Sequence, residues 1–204
     1  ELDENMSPNV GENPPPRDKG LTMKLMNQQE MRLENKQGQN EITIPIEIQS
    51  AFSSGSAAEQ IFAEAYVRAR QARQIMESFC GHRSAFLHVV PEELEQEMLE
   101  IREKFEQAAD LGHIHALNNL GLMTFYGFGG EQSYKQAKSL WQKAANEGCL
   151  FAQYNLGSFH ADYIGKACNM ERSRAWFEKA AEGGFPPAIV ALDQISGKIH
   201  ATHG

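Results

Sequence analysis

The 204 residues carry 19 Lys and Arg against 27 Asp and Glu, and a formal net charge of −8 argues against nucleic acid, which favours a basic face. An apolar fraction of 41% is ordinary for a soluble globular chain, and no apolar run approaches the roughly 20 residues that span a bilayer. Three cysteines, few and odd in number, imply no disulfide framework.

Residues 1–20 contain Asn13-Pro14-Pro15-Pro16 and almost nothing apolar, a composition that cannot offset ordering entropy, so they read as an extended arm. The chain opens at Glu1 without methionine, as a cleaved export signal or a trimmed start would leave it. Residues 21–55 form an N-terminal extension. Within it, Ile42-Thr-Ile-Pro-Ile-Glu-Ile48 alternates with the period of a half-buried strand, which Pro45 confines to a sheet edge. Leu21–Leu25 is its natural partner in a β-hairpin, a unit marginal unless it leans on the helices or on a partner.

Ser56-Ala-Ala-Glu59 is a capping box, and Ala58, Ile61, Phe62, Ala65, Ala69, Ala72, Met76 and Phe79 then form one stripe of a long helix. Pro91 opens a second helix, with Leu94, Met98, Ile101, Phe105 and Ala108 at spacings of four and three. Eight acids against Arg102 and Lys104 give residues 91–110 a local net charge of −6. That face is solvated, or it steers a basic partner.

From there a pattern returns every thirty-six residues. Phe105-Glu-Gln-Ala-Ala-Asp-Leu-Gly112 is followed by Trp141-Gln-Lys-Ala-Ala-Asn-Glu-Gly148 and by Phe177-Glu-Lys-Ala-Ala-Glu-Gly-Gly184. Leu120, Leu156 and Leu192 keep the register, as do Gly121 with Gly157 and Gly129 with Gly165. A period of this size marks a solenoid, whose units bury their apolar faces only against neighbours. Paired alanines and Gly121 let helices approach, an aromatic such as Trp141 fills the space between layers, and the glycines at 112, 148 and 184 stop helices. The expected helices lie near 115–126, 134–147, 151–163 and 171–183, with a last one from Pro186 to about Ile195. Asp193 stands where earlier units have glycine, which ends the stack. Residues 56–196 thus form an all-α helix-turn-helix solenoid of about seven helices, and 197–204 a flexible tail. Cys149 and Cys168 fall at opposite ends of one helix, roughly 18 Å apart and beyond disulfide reach, leaving free thiols or one bridge to Cys80.

Ala116, Leu120, Gly121, Tyr126-Gly127-Phe-Gly129, Lys135, Ala137, Trp141, Lys143-Ala144-Ala145 and Gly148 resemble the Sel-one-like repeat, a relative of the tetratricopeptide repeat. The next unit keeps Ala152, Leu156, Gly157, Gly165, Phe177, Lys179-Ala180-Ala181 and Gly184. Thr124 and His160 stand where that pattern has tyrosine, and Ser173 where it has alanine. The resemblance covers about half of the chain and is specific for fold, not for function.

No chemistry asserts itself. The seven histidines include His113 and His115 at a turn and His160 near Asp162, but no i, i+4 pair with an acid that would hold zinc. Gly127-Phe-Gly129-Gly130 joins two helices and does not follow a strand, so it is no phosphate loop. No catalytic residue, metal or cofactor is assigned, and a hydrolase is the least favoured reading.

The resemblance instead implies binding of another protein on a concave face lined by the first helix of each unit. Counted from the leucine–glycine pair, that face holds His115, Asn118, Leu122, Phe125 and Tyr126, then Phe151, Tyr154, Ser158, Ala161 and Asp162. Short Sel-one-like proteins also resemble the immunity proteins that occlude secreted type VI phospholipase effectors, which implies an inhibitor acting in the periplasm. The alternatives are an envelope assembly scaffold or adaptor and a cytoplasmic location.

Overall fold

The computed structural model describes the backbone of residues 46–80, 92–161 and 169–201. Eight helices run in order through them: α1 (Ile46–Ser54), α2 (Ala57–Cys80), α3 (Glu92–Asp110), α4 (Ile114–Tyr126), α5 (Tyr134–Asn146), α6 (Leu150–Ala161), α7 (Met170–Glu182) and α8 (Pro186–Ala201). Each packs on the helices before and after it in sequence, which is the solenoid the repeat foretells.

Two local expectations change. Ile46–Ile48 open α1 and are not part of a strand. The alternating isoleucines leave the choice open, and packing decides it: Ile48 seats against the first core cluster, while Pro45 lies just ahead of the helix, where proline is tolerated. The rest of the expected hairpin, Leu21–Leu25 included, lies outside the described residues. At the other end α8 continues past Ser196 to Ala201, although its last buried apolar side chain in the third core cluster is Ile195.

The capping box forms as read, with Ser56 Oγ accepting from the Glu59 amide at 3.3 Å and Glu59 Oε2 accepting from the Ser56 amide at 2.6 Å. Gly112, Gly148 and Gly184 take φ of +86°, +86° and +82°, the left-handed turn that ends α3, α5 and α7 and starts the next helix. Their cost is conformational only, since a side chain there would meet nothing within 4 Å.

Gly121 and Gly157 serve a different purpose. A methyl at Gly121 would collide with the Trp141 indole, and one at Gly157 would lie 2.5 Å from Phe177 Cδ1, so each glycine seats the aromatic of its own unit. Three core clusters follow one another along the stack, around Ile101 and Phe105, around Trp141 and Leu156, and around Tyr154 and Phe177. A polar seam crosses them. Trp141 Nε1 donates to the Asn118 carbonyl at 3.2 Å, and Asn155 Nδ2 donates to Asn118 Oδ1 at 2.9 Å, tying one unit to the next.

Candidate functional site

Because α2, α4, α6 and α8 are the first helices of successive pairs, their N-terminal ends lie side by side along one edge of the stack. A groove of about 650 Å³ follows that edge from Ser56 to Phe185. Aromatic rings run along it in an unbroken row. His113 stacks on Phe62 with centroids 4.0 Å apart, His115 stands 6.0 Å from His113 and 6.0 Å edge-on from Phe151, and Phe151 meets Phe185 at 5.0 Å. Leu111 and Phe151 are 57% and 46% exposed, so the groove offers apolar surface that the fold itself leaves uncovered.

Local chemistry sets what this edge can do. His113 caps α4, its Nδ1 accepting from the Ala116 amide at 3.3 Å. Cys149 opens α6, is free and buried, and places its Sγ 3.6 Å from His115 Nδ1. Burial pushes the Cys149 thiol up, against weaker opposition from the Phe151 and Ala152 amides. Burial also lowers His115 and, with the neighbouring charge of His115, lowers His113 against the pull of Glu59. At neutral pH the pair is therefore a thiol beside a neutral imidazole. Among the described residues no group of three His, Cys, Asp or Glu is placed to hold a metal.

A second hollow, about 310 Å³, lies between α3, α4 and α5 where Thr124 replaces the tyrosine of the repeat pattern. Arg102 fills part of the vacated space, donating from Nη2 to Thr124 Oγ1 at 3.2 Å and from Nε to Glu106 at 3.0 Å. Its Nη1 is sealed from solvent and has no partner among the described residues.

The residues expected on the concave face divide three ways. His115 and Phe151 are exposed and meet in the groove. Leu122, Phe125, Ser158 and Ala161 are half-buried, Phe125 resting on Trp141 at 5.5 Å and on Tyr134 at 5.0 Å. Asn118, Tyr126 and Tyr154 are corrected to core positions, because neighbouring helices cover them. Asn118 bonds Asn155, Tyr126 stacks on Phe128, and Tyr154 lies 8% exposed against Phe177 and Phe185. Asp162 lies outside the described residues.

The acidic face of α3 also reads differently. Arg68 of α2 clamps Glu97 through two bonds of 2.7 Å and Glu100 through one, and Lys104 holds Glu64 at 2.9 Å. These carboxylates fasten α2 to α3 and contribute less to any steering field. Leu111, Cys149 and Phe185 escaped sequence reasoning, although His113, Cys149 and Phe185 share one register position thirty-six residues apart.

The Sel1 repeat family matches residues 105–113, 114–149 and 150–185. A sel1-like repeat-containing protein of Acanthamoeba polyphaga mimivirus is 30% identical over 132 residues, which are 62% of this chain; the chain spans only 24% of that relative's length. A Sel1 repeat protein from Oxalobacter formigenes shares 24% identity over 73% of this chain and 96% of its own, with a TM-score of 0.44. A protective antigen of uropathogenic Escherichia coli with an SLR fold shares 18% identity over 74% of this chain and 32% of its own, with a TM-score of 0.47. Among the described residues no helix is long and apolar enough to cross a membrane.

Proposed function

On the premise that residues 105–185 are Sel1 repeats, stacked as a helical solenoid and typical of protein-binding scaffolds, we propose that this chain docks a partner protein in the groove at the N-terminal edge. The observation that carries this reading is the apolar surface of Leu111 and Phe151, left exposed beside rings that are already held in place by packing. Pre-positioned aromatic and aliphatic side chains make good anchors because little entropy is lost when a partner covers them.

The finer reading is an immunity-type inhibitor that occludes a secreted, phospholipase-like effector in the periplasm, and it rests on the resemblance of short Sel-one-like chains to such proteins. Its test is hydrolysis of phospholipid by secreted type VI phospholipases, assayed with the purified chain added. Inhibition by the native chain and its loss in Leu111→Asp with Phe151→Asp are expected. Undiminished hydrolysis with the native chain sinks the inhibitor, and inhibition untouched by the double variant sinks the groove.

A further inference from the structure

Four helix N-termini converge on the groove, and such ends ordinarily attract anions because their first amides are unpaired and the helix dipole is positive there. Here each end already holds an acceptor of its own or lacks amides to offer. The α2 end is satisfied by Ser56 and Glu59, the α4 end by His113 Nδ1, and the α6 end by the Cys149 sulfur facing the Phe151 and Ala152 amides. The α8 helix begins Pro186-Pro187, two residues with no amide hydrogen to offer. What remains is the charge of the side chains. No Lys or Arg lines the groove, while Glu59 and Glu147 do. Glu59 is held in its charged form by the Ser56 amide and hydroxyl, and no hydrogen bond or ion pair holds the Glu147 carboxylate among the described residues. The exposed Phe151 ring adds an aromatic face that favours a cation.

Resting on the docking reading above, we propose that the groove selects a partner segment carrying a basic side chain among apolar ones, with Glu147 supplying the charge and Phe151 the ring. Charge complementarity fixes the occupant: an acidic segment would meet two carboxylates opposing it and no basic side chain to pair with.

The test uses capped hexapeptides Gly-Leu-Phe-Xaa-Leu-Gly, with Arg, Ala or Glu at Xaa, titrated at low salt into the isotopically labelled full chain while amide shifts are followed. The Arg peptide is expected to move the amides of Gly112–His115 and Gly148–Phe151 and to bind about threefold to fivefold tighter than the Ala peptide, the range of one exposed charge pair. Glu147→Gln, whose fold is checked by circular dichroism, is expected to erase most of that advantage while leaving the Ala peptide unchanged. Equal affinity of the Arg and Ala peptides, or tightest binding by the Glu peptide, overturns the selection for a cation and leaves the groove as a docking site. Failure of all three peptides to move those amides counts against the docking site itself.

Discussion

The seam between the helices and the edge at their N-terminal ends are built by the same repeat and obey different rules. At the seam the positions where helices touch most closely keep their kind: glycine at 121 and 157, an aromatic at 141 and 177, paired alanines at 144–145 and 180–181. At the edge the register holds only the geometry. Positions 113, 149 and 185 are His, Cys and Phe, and positions 115, 151 and 187 are His, Phe and Pro. Close packing tolerates few shapes where two helices touch, whereas a side chain over an open groove answers to whatever covers it. Variation at the edge is where the proposed docking site lies.

The largest break in that contrast comes from the seam. Trp141→Ala removes an indole 3% exposed that also holds the Asn118 carbonyl, and a loss of about 3–5 kcal/mol is expected in urea unfolding. Asn118→Ala leaves Asn155 without its buried acceptor, and about 1–3 kcal/mol should go with it, coupled to the Asn155→Ala change in a double-mutant cycle. Ser173 sharpens the comparison from the opposite side. It stands where Ala137 stands one unit earlier, is fully buried, and its hydroxyl finds no partner among the described residues. Ser173→Ala should therefore raise stability by about 1 kcal/mol, seen as a higher denaturant midpoint.

Acid probes the edge. His113 and His115 are held below their ordinary value of 6.5, so the unfolded chain binds protons more readily than the folded one. Their contribution is complete above that value and is lost as pH falls through it toward the folded values. The melting temperature of the native chain should fall as pH drops over that interval, and His113→Asn, which keeps a capping acceptor, should flatten the slope. Smallest of all, Phe151→Ala should change stability by less than about 1 kcal/mol, since the ring is half open to water.

What the sequence disclosed, and what it withheld, follows the same division. The thirty-six-residue period, the capping box and the helix-stopping glycines are local or repeated signals, and the helices α2 to α7 follow from them. Tyr154 shows where such reasoning stops. Its spacing from Leu156 puts it on the inward side of α6, but Phe177 and Phe185, from the next two elements, cover it. Glu97 and Glu100 look like a solvated acidic face until Arg68, twenty-nine residues before Glu97, closes on them. The isoleucines around Pro45 carry a strand's alternation that contact with the core overrules at Ile48. In each case a neighbour in space, unpaired with any spacing in the sequence, decided the outcome.

The claim that recognition belongs to the N-terminal edge is tested most directly by photocrosslinking in the native cells. A benzoyl-phenylalanine replaces Phe151 in the groove in one version of the chain and Ser139, exposed beside the Thr124 hollow, in another. An adduct to a second polypeptide from position 151 and none from position 139 is the expected result. An adduct from position 139 with none from position 151 would place recognition away from the groove and contradict it.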